Sequence, residues 1–195
     1  MIISTTRHPE PIVSRGFTLV EVMVAVALSG FILAGVLTSN LQVMRSGVRI
    51  TQYAEMGTQI HRGLELFGND VKCATDIVWN NDSDITLTVP NSAGTTSLVT
   101  YAWSSTTKNF FRVPGASSAV TTGRLYLIQG IPAQAGGAAG LTFARFDHDG
   151  NAATTNLATK RIQVTLTLSR QAQGMAATSE NSVSATFVMR NKPIS

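Results

Sequence analysis

The chain has 195 residues, of which 44% are hydrophobic and 13% are charged, and its formal net charge is +4. This length allows one or two domains, and the low charged fraction is typical of a protein that lies partly in a membrane. The basic residues are scattered, so the composition gives no footprint of nucleic-acid binding. The single cysteine, Cys73, excludes an intrachain disulfide, and we expect it to be a buried, unreactive thiol at a helix end.

The first predicted element is a membrane-spanning helix. A polar segment, residues 1–16, carries Arg7 and Arg15 and precedes an apolar run from Phe17 to Leu37, in which Glu21 is the only charge. The run has the length of about 20 residues that a helix needs to cross a bilayer. Basic residues before the span favour a cytoplasmic N-terminus and export of the part that follows.

An ordinary secretory signal is the rival interpretation of the same segment. Ala25-Val26-Ala27 matches a small-x-small cleavage site, and cleavage there would release a secreted β-rich protein beginning at Leu28. The apolar stretch before this site would then be short and would contain a glutamate. The apolar pattern also continues beyond the site, which favours the membrane-spanning helix.

The sequence RGFTLVEVMVAV, residues 15–26, resembles the N-terminal signature of type IV pilins and type II secretion pseudopilins. The resemblance implies that residues 1–16 are a leader peptide. A prepilin peptidase would cut between Gly16 and Phe17 and methylate the new N-terminal Phe17. It further implies that Glu21 pairs with the N-terminal amine of a neighbouring subunit during assembly.

The physical chemistry of these residues agrees with that reading. Gly16 has no side chain, so a protease can approach the backbone closely. A carboxylate at the bilayer centre costs about 2.5–3.5 kcal/mol on insertion scales, and Glu21 therefore needs compensation. The helix dipole favours a negative charge in the first turn. Pairing with an amine would offset most of the free-energy cost of burying the carboxylate. The alternative is that the Glu21 side chain extends to the lipid headgroups and needs no partner.

Beyond the span, the pattern predicts that the same helix continues. Apolar residues recur at spacings of three and four, so we predict one helix over 17–74, with an amphipathic part over 38–74 that packs its stripe on a sheet. Gly57, Gly63 and Gly68 should each cost this helix about 1 kcal/mol and make local bends plausible. The stripe consists of Leu41, Met44, Val48, Met56, Ile60, Leu64, Phe67 and Val71.

Residues 75–195 are predicted to form an antiparallel β head. Apolar and polar residues alternate in short segments separated by Gly, Ser, Thr, Asn and Pro, which is typical of half-buried antiparallel strands. The fold class is therefore α+β, with a long N-terminal helix packed on a C-terminal antiparallel sheet. The predicted strands lie within 84–89, 98–103, 109–113, 124–128, 141–146, 161–170 and 182–190.

Several features make the resemblance more specific. The segments ELFGNDVKCATDIVW and FARFDHDGN are loosely similar to the larger minor pilins of the PilW/PilJ-like group and to J-type pseudopilins. The helix also lacks the proline that major pilins often carry. The resemblance implies a minor subunit that helps to initiate or cap a filament. Its partners would be the prepilin peptidase, other major and minor pilins or pseudopilins and the inner-membrane assembly platform. Its location would be the bacterial inner membrane, with a periplasmic head, and then the filament.

One loop is a weak calcium candidate. DHDGN places Asp147, Asp149 and Asn151 at alternate positions, a spacing at which oxygen ligands begin many calcium loops. Gly150 comes one place too early and the distant glutamate of such loops is missing, so a turn held by Asp147 is the favoured interpretation.

No other cofactor is expected, and we expect no enzymatic activity. The sequence has no nucleophile elbow and no phosphate-binding glycine loop. It also lacks the Cys/His spacing of a zinc site. Binding of nucleic acid by the subunit itself is a further, less favoured possibility.

Overall fold

A computed structural model describes residues 16–91, 94–171 and 178–193. The described residues form one long helix, α1 (Leu19–Cys73), followed by eight strands. This order of elements confirms the predicted α+β class. A short 3-10 turn, Ala135–Gly137, lies between the fifth and sixth strands. The leader is predicted for residues 1–16, and its residues 1–15 lie outside the described residues. The strands are β1 (Asp76–Asn81), β2 (Asp84–Pro90), β3 (Thr96–Ser104), β4 (Asn109–Pro114), β5 (Leu125–Gln129), β6 (Leu141–Phe146), β7 (Arg161–Gln171) and β8 (Thr178–Val188).

The strands form two antiparallel sheets. One sheet has five strands in the order β1-β2-β3-β4-β5, and the other has three in the order β6-β7-β8. Within each sheet, strands that are consecutive in the sequence pair with one another, as short turns between antiparallel strands allow. The sequence pattern did not predict β1. Only Ile77 and Trp79 of this strand point towards the core, and its polar ends resemble a loop.

The described chain divides into two compact units, one ending at Ser46 and the other beginning at Gly47. In the first unit the apolar side chains of α1 are exposed, and the helix is long and apolar enough to cross a membrane. The stripe prediction was wrong for Leu41 and Met44 in this unit and for Val48 in the second. All three are exposed, because the described chain offers no surface to cover them.

The core of the second unit lies between α1 and the two sheets. The buried face of α1 consists of Met56, Ile60, Gly63, Leu64, Phe67, Gly68 and Val71. Phe67 is fully buried, and its ring contacts rings of both sheets. The centroid distances are 5.0 Å to Tyr101 and 6.0 Å to Phe110 of the larger sheet, and 5.6 Å to Phe143 and 5.4 Å to Phe187 of the smaller sheet.

Two helix glycines are required by this packing. A Cβ atom on Gly63 would lie 2.6 Å from Cγ1 of Ile128, and one on Gly68 would lie 2.4 Å from Cε1 of Phe187. Distances this short are repulsive, so both glycines allow the helix to approach the sheets closely. Gly57 has no such neighbour.

The outer face of the larger sheet carries a second, small apolar cluster of Ala102, Phe111 and Val113. The β4–β5 connection packs against this face, where the guanidinium of Arg124 lies 4.1 Å from the centre of the Phe111 ring. Thr100 donates a hydrogen bond to the carbonyl of Gly115 at 2.7 Å. This cover explains why β3 is buried on both faces instead of alternating.

Candidate processing and assembly site

The predicted cleavage site lies just before the helix. Gly16, Phe17 and Thr18 are outside regular secondary structure, and the side chain of Phe17 is 85% exposed. The backbone of Gly16 and Phe17 is therefore not tied into the helical hydrogen-bond ladder, which starts at Thr18. Both residues are exposed in the described part of the chain, as the predicted cleavage requires.

Glu21 is part of a capping box at the start of α1. The backbone N–H and the hydroxyl of Thr18 donate to Oε2 of Glu21 at 3.1 and 3.2 Å. In return, the N–H of Glu21 donates to the Thr18 hydroxyl oxygen at 3.2 Å. Each side chain thus satisfies a backbone N–H that the first turn of a helix leaves unpaired.

The capping box changes the interpretation of Glu21. In a single subunit this carboxylate already has two donors on Thr18, whereas the sequence interpretation considered the helix dipole, an amine partner and the headgroups. The signal is visible in the sequence as T-x-x-E, residues 18–21, before an apolar run. All atoms of the box lie after the predicted cleavage site, so cleavage would retain them.

The helix face that presents Glu21 also presents small residues. Ala25 and Ser29 follow at four-residue spacing, and the hydroxyl of Ser29 donates to the carbonyl of Ala25 at 2.7 Å. Small residues let helices approach closely in a membrane, where packing and hydrogen bonds drive helix association. This face can therefore accept a neighbouring helix next to the carboxylate.

The calcium candidates lie in a turn between β6 and β7. Asp147 Oδ1 accepts hydrogen bonds from the N–H groups of Gly150 and Asn151, each at 2.8 Å. Partial burial would raise the pKa of the Asp147 carboxyl, but the hydrogen bonds from Asn151 and Gly150 outweigh it and hold the pKa below its usual value. Gly150 has a φ of 97°, a conformation that glycine adopts readily. Within residues 16–91, 94–171 and 178–193, no group of three His, Cys, Asp or Glu side chains is placed to hold a metal ion.

A polar network that sequence reasoning missed joins α1 to the larger sheet. Asp70 Oδ2 accepts from the Tyr101 hydroxyl at 2.7 Å and from Nε of Arg112 at 2.9 Å. Burial raises the pKa of Tyr101, and the charge and hydrogen bond of Asp70 raise it further. Asp70 looked like an ordinary surface position on a helix, so only the fold reveals its partners.

Cys73 does not lie where we expected it. Its side chain is exposed at the end of α1 rather than buried. The core-facing residues at this end are Val71 and Ala74, and Cys73 faces away from them.

Comparison with known proteins agrees with the N-terminal geometry. Residues 13–37 match the family model described as the prokaryotic N-terminal methylation motif. The match includes the predicted cleavage site, Glu21 and the apolar run, and it supports prepilin-type processing in a chain of the type IV pilin-like or pseudopilin class. Together with the apolar helix, it supports anchoring in a membrane. No curated protein matches the chain.

Proposed function

We propose that the protein is a minor pilin, a structural subunit that helps to initiate or cap a type IV pilus. The observation that carries the proposal is the methylation motif at residues 13–37, directly before and within an apolar helix. The eight-stranded part, whose two sheets pack on the same helix, supports a subunit larger than a minimal helix with one sheet. Its role is structural, and no catalytic activity is proposed.

Assembly proceeds by exchange of partners around α1. The prepilin peptidase cuts before Phe17 on the cytoplasmic side and methylates the new amine, while the helix stays in the inner membrane and the β part lies in the periplasm. Lipid contacts of the apolar helix are then replaced by contacts with helices of other pilins, which removes the exposed apolar surface from lipid. No metal ion is needed for this proposal.

Glu21 has two partners in this scheme. In the isolated subunit the Thr18 capping box holds its carboxylate. In the filament we propose that it pairs with the methylated amine of a neighbouring Phe17, which sets the offset between subunits. A buried ion pair fixes register more than it adds stability.

The N-terminal residue of the mature chain tests the proposal most directly. We expect mass spectrometry of the protein from membranes to find N-methylated Phe17. Gly16→Val should slow processing and leave a heavier precursor band. A mature chain that begins at Leu28 would instead identify an ordinary secretory signal and refute the proposal.

Two substitutions separate the capping role of Glu21 from its charge. Glu21→Gln keeps an acceptor oxygen for the Thr18 amide, whereas Glu21→Ala removes both acceptor and charge. We expect both variants to be inserted and cleaved, and both to be lost from sheared filaments or from complexes with other pilins. Normal incorporation of Glu21→Gln would show that capping alone suffices and would refute the ion pair.

The same motif also occurs in pseudopilins, so a minor pseudopilin of a type II secretion system is the second candidate. Co-purification distinguishes the two. Recovery with the major pilin supports the pilus, and recovery with the major pseudopilin supports the secretion system.

A further inference from the structure

The segment after β8 carries a nearly buried ammonium group. The side chain of Lys192 is only 3% exposed. An unpaired charge at such a position is strongly unfavourable, so its surroundings must compensate it. Nζ of Lys192 donates to Oδ1 of Asp76 at 3.0 Å and also to the carbonyl of Asn156.

The residues beside Lys192 bind two other parts of the second unit, the end of α1 and the 153–160 connection. The backbone N–H of Arg190 donates to the carbonyl of Lys72 at 3.2 Å, and the side-chain amide of Asn191 donates to the carbonyl of Cys73 at 3.1 Å. These carbonyls belong to the last turn of α1, which leaves such groups without helical partners. The segment therefore caps the end of the helix.

The remaining contacts are with the 153–160 connection before β7. The N–H of Met189 donates to the carbonyl of Lys160 at 3.0 Å, and Nζ of Lys160 donates to the carbonyl of Lys192. Met189 is fully buried in the core. One segment of five residues thus joins the end of α1, the start of β1 and this connection.

We propose that residues 189–193 form an ionic clasp, closed by the Lys192 ammonium, that fastens the end of β8 to α1, β1 and the 153–160 connection and can open locally. A disulfide often fastens such a segment in exported proteins. This chain has one cysteine, so a clasp of this kind closes without thiol oxidation. The clasp is separate from the processing and assembly site and does not depend on the proposed function.

The electrostatics of Asp76 agree with a charged clasp. Burial would raise the pKa of the Asp76 carboxyl, but hydrogen bonds from Lys192 and from the N–H of Ile77 outweigh it and hold the pKa below its usual value. Its side chain is 61% exposed, so Asp76 stays hydrated while its partner is buried. The asymmetry makes Lys192 the residue whose replacement should open the clasp most, and replacement of Asp76 should open it less.

Hydrogen exchange on the full chain in detergent tests the clasp. Lys192→Met keeps most of the side-chain volume and removes the charge. We expect the amides of Met189 and Arg190 to exchange at least about tenfold faster in this variant, while the amide of Tyr101 in β3 keeps its rate. Lys108→Met, at an exposed turn, should change none of these rates.

Two outcomes would overturn the clasp. One is unchanged exchange at Met189 and Arg190 in Lys192→Met. The other is equal acceleration at Tyr101, which would mean that the segment has no local opening of its own. If Lys192→Met does not fold, Asp76→Asn takes its place, because it removes the counter-charge at an exposed position. It should accelerate the same two amides, and their unchanged exchange would refute the clasp.

Discussion

At the scale of single residues, Gly57 and Gly68 of α1 have opposite effects on the stability of the fold, although both are helix glycines. Gly68 faces the core with Phe187 against it, whereas Gly57 has no atom within 4 Å of an added Cβ. A glycine in a helix interior is about 1 kcal/mol less favourable than alanine when nothing opposes the new methyl group. Packing against an aromatic ring reverses that preference.

Alanine substitutions should therefore change stability in opposite directions. We expect Gly68→Ala to lower the free energy of unfolding by about 1–3 kcal/mol, because its methyl group overlaps the Phe187 ring that packs on Phe67. Gly57→Ala should raise it by about 0.5–1 kcal/mol. Denaturant unfolding of the two variants measures both values, and equal signs would contradict the close approach of helix and sheet.

At the scale of elements, Asp70, Tyr101 and Arg112 fasten α1 to β3 and β4. Because the pKa of Tyr101 is raised in the folded state, the folded protein holds this proton more tightly than the unfolded chain. The stability from this group is complete below the ordinary tyrosine pKa of about 10 and declines as the pH rises above it.

The pH dependence of unfolding tests this network. Between about pH 10 and 11 the wild type should lose up to about 1.4 kcal/mol of stability per pH unit through Tyr101. Tyr101→Phe should lose less over this interval, although it is less stable at pH 7 by about 1–2 kcal/mol because Asp70 loses a donor. Tyr53→Phe, at an exposed site on α1, is the control and should decline as the wild type does. Equal slopes in all three proteins would refute the role of the network.

The elements also show how far the sequence predicts this fold. Strand β7 alternates Ile162, Val164 and Leu166 with polar residues, so period and burial agree and the prediction succeeds. In β3, buried and exposed residues do not alternate, because the β4–β5 connection covers the outer face of this strand. The pattern of residues within the strand cannot predict that contact. The same limit applies to Lys192, whose burial depends on distant partners that no spacing in the sequence relates to it.

The candidate site was more accessible to sequence reasoning than the core contacts. Its residues, from Gly16 to Glu21, lie within one short stretch, and short-range chemistry decides their geometry. The T-x-x-E pattern even specifies the capping box, with hydrogen bonds that span only three residues. What local pattern does not specify is a neighbouring subunit, so the ion pair of Glu21 stays a prediction.

At the scale of the whole molecule, Phe67 unites the second unit. Its ring contacts Tyr101 and Phe110 of the larger sheet and Phe143 and Phe187 of the smaller one. The two sheets share no strand pairing in the described ranges, so α1 provides much of the core that joins them. Removing this ring should therefore affect both sheets, although the substitution lies in neither.

Phe67→Ala should destabilise the second unit by about 3–5 kcal/mol, because it leaves a cavity at the point where both sheets meet the helix. The two native tryptophans, Trp79 in β1 and Trp103 in β3, both belong to the larger sheet, and Trp79 also contacts Phe143 of the smaller sheet. Single-tryptophan variants, with Trp79→Phe or Trp103→Phe, follow each signal separately. We expect the two midpoints to coincide in the wild-type background and to shift downwards together with Phe67→Ala. A shift confined to one tryptophan would show that β1 and β3 do not lose their packing together when Phe67 is removed, and that the ring does not hold the core as one unit.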